Sequence, residues 1–168
     1  MSESNVPLPV PDVPLNFVPA KEGEVLKIGP MTLRIMEDGS RTDNRLGSVE
    51  LIVPPHTAGP PAHWHEMHDE TFLVTQGTIR FHVPVTPSNP TEKIIDAKAG
   101  DYVTVPTRSP HTFSNPTGEE SRFFNTFTPA FYINYFKLLS NLEKEAGGFG
   151  PELNKKAMAH FATLPIPG

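Results

Sequence analysis

Between Val25 and Thr128 the chain is a series of short alternating runs, each cut off by Gly, Pro, Asp or Asn. That punctuation confines the fold to an all-β sandwich or barrel. VLKIGP, MTLRIME and GSVELIV open the series. ETFLVTQGTIRFHV reads as two strands joined across Gln76-Gly77, with the glycine turning a hairpin. KIIDAKAGDYVTVP holds two more, split at Ala99-Gly100-Asp101, and HTFSN and SRFFNTFTP close the set. Successive side chains of a strand point to opposite faces, so each run presents one apolar face to a common interior.

The interior can be a real one. Leu, Ile, Val and Phe make up 43 of 168 residues, above the level of chains that stay disordered. The 20 prolines and 12 glycines suit a turn-rich β domain better than a helical bundle. At this length one domain is expected, with flanks of different character. Residues 1–24, with VPLPVPDVPLNFVPA, read as an extended Pro-rich arm that either docks on a barrel or hangs free. Residues 25–128 read as the barrel and 129–168 as a helical segment. In the last, Phe131, Tyr132, Tyr135, Phe136, Leu139 and Leu142 recur every three or four residues, predicting an amphipathic helix over 130–145. Gly147-Gly148 ends it, and Pro151 starts a second short helix over 151–162.

Several function classes fall away. There is no cysteine, which excludes disulfides and thiolate-built zinc sites. The net charge is −5 and no basic patch stands out, which argues against nucleic acid and anionic membrane as partners. No run approaches a membrane span, and the N-terminus lacks the layout of a signal peptide. Both Asn-Pro-Thr stretches, at Asn89 and Asn115, have Pro in the position that forbids glycosylation. A soluble, cytoplasmic protein is the expectation.

The chemistry is concentrated in HWHEMHDE, which holds three of the seven histidines. His63 and His65 are two apart, so in a strand both imidazoles share one face and can share a metal ion. Glu70 begins the following run, and an adjacent antiparallel strand would carry its carboxylate to the same interior. A helical metalloprotease motif fails, because His65-Glu66-Met67-His68 is one residue too short for His-Glu-x-x-His. A facial triad of His68, Glu70 and a distant His, which would drop His63 and His65 as ligands, stays open on spacing alone.

H63-W-H65-x4-E70-x6-G77 resembles the first motif of the cupin family, and G100-x5-P106-x4-H111-x3-N115 resembles the second. The resemblance spans about 45 to 128. It implies a single cupin β-barrel, a double-stranded jelly roll, and a metal held by His63, His65, Glu70 and His111. Such a site takes one divalent first-row ion, whether Fe, Mn, Co, Ni, Cu or Zn. The sequence departs from the pattern twice. Thr57 stands where a Gly is usual, with Gly59 displaced by two, and Arg108 replaces the Gly after the proline. Arg108 is read as an exposed turn arginine, or one that reaches toward the site mouth.

PPAHWH followed by TFTPAFYINYFKLL also resembles the small single-domain cupins like quercetin 2,3-dioxygenase. That likeness implies a metal-dependent dioxygenase acting on an enolisable aromatic, flavonol-like or polyketide-like molecule. Glu70 would serve as ligand and catalytic base, and dioxygen as co-substrate. The same cage equally serves a lyase, isomerase, cyclase or decarboxylase, or a binding cupin without catalysis. Strand alternation puts Phe72, Val74 and Phe113 beside the ligands. Phe81, Phe123, Asn125 and Phe127 join them as candidate lining of an apolar substrate pocket. Tyr132, Tyr135 and Phe136 either cover one barrel mouth or anchor the helix. Trp64 lies between the two His and must face out, toward the arm or a second subunit, and a homodimer is expected. His68 is read as a loop residue or a support for the ligands, and His56, His82 and His160 as structural.

Overall fold

The computed structural model describes residues 10–166, and its chain is mostly strand. The order is β1 (Glu24–Ile28), β2 (Met31–Glu37), β3 (Gly47–Val53), β4 (Thr57–Ala58), β5 (His63–His65), β6 (Asp69–Gln76), β7 (Thr78–Val83), β8 (Lys93–Lys98), β9 (Tyr102–Val105), β10 (Thr112–Asn115) and β11 (Ser121–Thr128). A 3-10 turn (Ala130–Tyr132) leads into α1 (Ile133–Ala146), followed by α2 (Pro151–Ala159) and β12 (Thr163–Pro165).

Two antiparallel sheets enclose the core. One has the order β1-β2-β3-β11-β6-β9 and the other β4-β10-β7-β8. This is the all-β jelly roll read from the sequence, with the C-terminal helices packed on it. The inward faces follow the alternation: Leu33 and Ile35 on β2, Val49, Leu51 and Val53 on β3, and Phe72 and Val74 on β6 are all buried. Phe72 sits at the centre, its ring 5.1 Å from Phe81 and 5.2 Å from Phe123. Burying each such ring contributes about 1.5–3 kcal/mol, so this cluster stabilises the junction of the two sheets.

The predicted hairpin at Gln76-Gly77 is instead a corner. β6 pairs with β11 and β9, whereas β7 pairs with β10 and β8, so at Gly77 the chain leaves one sheet for the other. Gly77 has φ +70°, and a Cβ there would lie 2.4 Å from Ser121 Oγ, so only glycine fits. Ala99-Gly100-Asp101 makes the return crossing between β8 and β9.

Of the arm, residues 1–9 lie outside the described residues. Val10, Val13, Leu15 and Phe17 are exposed, and Asn16 reaches the Glu37 carboxylate at 3.4 Å. The first helix closes on Gly147 in the left-handed conformation, φ 72°. The second stops at Ala159 rather than 162, because Thr163–Pro165 extends to form β12 against β5. No helix among the described residues is long and apolar enough to cross a membrane.

Candidate metal centre

The two-residue spacing of His63 and His65 works as expected: both are buried while Trp64 between them is half-exposed. His63 and His111 exchange both backbone hydrogen bonds, at 3.0 and 2.9 Å, so they stand directly opposite with their side chains on one face. The candidate nitrogens of His63, His65 and His111 lie within 4.8 Å of one another. Glu70 arrives differently from the sequence expectation. Its strand β6 belongs to the facing sheet rather than adjoining β5, so the carboxylate crosses the barrel interior to meet the imidazoles.

Each imidazole is pinned from behind. His63 Nδ1 donates to the Pro61 carbonyl at 2.7 Å, and His111 Nδ1 to the Ser109 carbonyl at 2.9 Å. His65 Nδ1 donates to the Thr163 hydroxyl at 3.0 Å, which in turn donates to the Phe161 carbonyl at 3.3 Å. A carbonyl only accepts, so these partners put the proton on Nδ1 and leave the lone pair on Nε2. Fixing the outer nitrogen in this way is how metal-binding histidines are oriented.

The inner geometry then asks for a cation. His65 Nε2 and His111 Nε2 lie 3.1 and 3.2 Å from the same atom, Glu70 Oε2. Neutral imidazoles would aim two lone pairs at a carboxylate oxygen, which is repulsive unless a proton or a metal ion sits among them. A divalent ion takes all the lone pairs at once, and the nitrogen and oxygen donors suit the first-row ions. The residues therefore fit the group that the motifs imply.

The electrostatics agree. Burial, and then the neighbouring His111 and His65, pull the His63 pKa down to about 3, so this ring stays neutral and able to ligate. Burial alone pushes the Glu70 carboxyl up. The adjoining His65 and His111 imidazoles outweigh it and hold Glu70 well below its usual range, so it stays ionised and able to ligate.

His63 and Glu70 also line a cavity of about 50 Å³. Of the predicted pocket residues, Phe72, Phe113, Phe123, Asn125, Tyr132 and Phe136 border it. Val74, Phe81 and Phe127 do not. They are buried as alternation requires, but in the layer behind: Phe81 packs edge-on to Phe72, Phe127 packs on Tyr132 and Phe136, and Val74 lies two residues farther along β6. Tyr132 and Tyr135 are fully enclosed, and burial raises both phenol pKa values, so both stay protonated. The Tyr135 hydroxyl donates to Asn154 Oδ1 at 2.6 Å, tying α1 to α2 at the cavity wall that both side chains line.

Other residues settle differently. His68 is in the loop before β6, as read, yet its ring is buried against His65 and Tyr132, with centroids 4.0 and 4.1 Å away. The signal was available, since His68 precedes Glu70 by two and continues the inward parity of β6. The facial triad that drops His63 and His65 does not match, because those two rings face the same interior as His68 and Glu70. Arg108 has φ 64°, the conformation for which Gly is usual. Its guanidinium pairs with the exposed-side Glu66 carboxylate at 2.9 Å rather than the site mouth. Gly59 is the glycine that matters locally, since a Cβ there would lie 2.3 Å from the Phe113 carbonyl oxygen. Trp64 donates to Glu66 at 3.2 Å and stands in register with Leu164 of β12, so its neighbour is this chain's own C-terminal strand. Thr163 was missed entirely.

Comparison with known proteins is consistent with this architecture. Residues 49–127 match the family model described as Cupin domain. No curated protein matches the chain by sequence. Among solved structures, KdgF from Halomonas sp. is 20% identical, covering 67% of this chain and 94% of that one, with a TM-score of 0.54. The RmlC-like cupin from Shewanella frigidimarina is 19% identical, over 70% of this chain and 93% of that one, with a TM-score of 0.53. The polyketide cyclase RemF from Streptomyces resistomycificus is 18% identical, over 71% and 92%, also with a TM-score of 0.53. Two packed antiparallel sheets, a family match across their centre and the likeness to these structures show the cupin fold, a jelly roll extended here by C-terminal helices.

Proposed function

We propose that the protein is a metal-dependent cupin enzyme that deprotonates an enolisable, aromatic or polyketide-like small molecule and adds dioxygen to it. The observation that carries this reading is the position of Glu70, whose carboxylate faces two imidazoles and also lines the apolar cavity. A carboxylate there both completes the cage and reaches a proton on a bound substrate. His63, His65, His111 and Glu70 would hold the ion, which when bound supplies a Lewis acid that stabilises an enolate oxygen.

The lining supports one base rather than an acid–base pair. Tyr132 and Tyr135 hold their protons tightly, the Asn125 amide is spent on the Thr71 carbonyl at 2.8 Å, and His63 belongs to the cage. Isomerases and lyases usually need a second proton carrier, whereas deprotonation followed by dioxygen attack needs only the first. The cavity also constrains size. About 50 Å³ is far below the ~300–1,000 Å³ of sites that enclose drug-sized ligands. A flavonol-sized substrate would require the wall of Tyr132 and Phe136 to move, while a one-ring enolisable compound would need less.

The test is dioxygen uptake and product mass with metal-loaded protein and a panel of enolisable aromatics. Products heavier by oxygen support the reading. Products of unchanged mass, or lighter by carbon dioxide, favour the non-oxidative cyclase, isomerase or decarboxylase that the same cage allows, and RemF shows this fold in a polyketide cyclase. The homodimer and the cytoplasmic location belong to the proposal as well, and a monomeric mass in solution would overturn the former.

A further inference from the structure

His68 is the buried polar side chain that the cage of four leaves unexplained. It is 1% exposed, and neither Nδ1 nor Nε2 has a hydrogen-bond partner. Every other buried histidine here spends its Nδ1 on an acceptor, so a ring with both nitrogens idle stands out. An imidazole kept from water without a partner is destabilising, and a fold tolerates it only where something repays the cost.

Its surroundings identify the ligand. The His65 and Tyr132 rings pack against it with centroids 4.0 and 4.1 Å away, and Phe127 and Phe131 lie 5.8 and 5.7 Å away. None of these rings offers the nitrogens a carbonyl or carboxylate. What lies within reach is the cage: a His68 nitrogen sits within 4.8 Å of ligand atoms on both His65 and Glu70. This triad shares His65 and Glu70 with the cage of four, so His68 adjoins the same group of donors. His68 does not border the cavity, whereas His63 and Glu70 do.

We propose that His68 is a fifth protein donor to the same metal ion, entering from the side away from the cavity. The inference rests on the metal-dependent reading above and extends it. A second ion is the weaker account, because His65 has one inward nitrogen to give, its other being held by Thr163. Five protein donors leave a six-coordinate ion a single exchangeable position. Substrate and dioxygen would then not bind it side by side, and dioxygen would have to meet the substrate from the cavity.

The test uses the full-length protein stripped with a chelator and titrated with Co²⁺ or Cu²⁺ alone, comparing wild type with His68→Phe and His68→Asn. Phe fills the same aromatic slot without nitrogens, and Asn keeps polarity without an imidazole. Wild type is expected to bind one ion per chain. Both variants should bind it at least ~10-fold more weakly, by analogy with the loss of groups that support a metal site. Pulsed EPR of the Cu²⁺ form should count one imidazole fewer in the variants. Metal-free His68→Phe should melt no lower than metal-free wild type, since it removes two unpartnered nitrogens. Wild-type affinity and an unchanged imidazole count in both variants would overturn the assignment. So would two ions in wild type falling to one in the variants. No binding by wild type would instead remove the metal-dependent reading itself.

Discussion

Thr163→Val removes one hydroxyl and almost no volume, and it strikes the candidate site from its least obvious side. Thr163 is completely buried, and its Oγ accepts the His65 Nδ1–H at 3.0 Å. Valine fills the space but leaves that N–H without a partner, which costs about 1–3 kcal/mol. For a domain of this size each kcal/mol lowers the melting midpoint by about 2–4 °C, so the expected fall is roughly 2–12 °C. A second effect is separable. Without its acceptor, His65 can move its proton to Nε2, the nitrogen facing Glu70, and metal affinity should drop about 10–100-fold. Thermal melts of the metal-free protein read the first effect and a Co²⁺ titration reads the second. Thr163→Ser, which restores the hydroxyl at the cost of one methyl group, about 1 kcal/mol, should recover the affinity. If Thr163→Val binds metal as wild type does, the claim that the C-terminal strand sets the His65 tautomer is wrong.

The metal-free protein should lose stability on acidification. Folded His63 and His68, each with its pKa pulled to about 3 chiefly by burial, refuse a proton that the unfolded chain accepts near pH 6.5. Stability therefore falls as pH drops from 6.5 toward 3, by about 1.4 kcal/mol per pH unit for each ring, and Glu70 adds in the same direction. A flat denaturant midpoint between pH 6.5 and 5 would refute this. Glu70→Gln should abolish turnover and weaken metal binding at least ~10-fold. Product assays and a Co²⁺ titration check these two effects. Tyr135→Phe strips the bond to Asn154 and leaves a buried carbonyl oxygen, so a denaturant titration should show a loss of about 1–2 kcal/mol.

Much of the architecture was legible because strands advertise themselves by period two and end at residues that cannot continue them. The runs read for β1 to β3 and β6 to β11 follow from that alternation, whereas the two-residue β4 is too short to show a period. Partnership between strands was not legible. Nothing local at Gln76-Gly77 distinguishes a hairpin from a corner between sheets, and the difference lies in whether β10 or β11 is the neighbour. The same blindness affected the site. The His63–His65 spacing is local, but the approach of Glu70 from the facing sheet is a tertiary fact. Parity identified inward residues well and pocket residues less well, because Val74, Phe81 and Phe127 face inward yet sit behind other rings. Thr163 left no trace in the sequence, since a lone threonine in a short run carries no period at all.

The pairing of β12 with β5 also has a consequence in time. His65 and the hydroxyl that fixes its tautomer are 98 positions apart. A ribosome makes the barrel strands and the cage residues before it makes Thr163, and domains begin to fold as they emerge. A nascent chain can therefore bring His63, His65, Glu70 and His111 together while the His65 proton is still free to sit on either nitrogen. Loading of the right ion would then be timed by the arrival of one threonine, which makes the C-terminal strand a checkpoint on maturation as well as a piece of the fold.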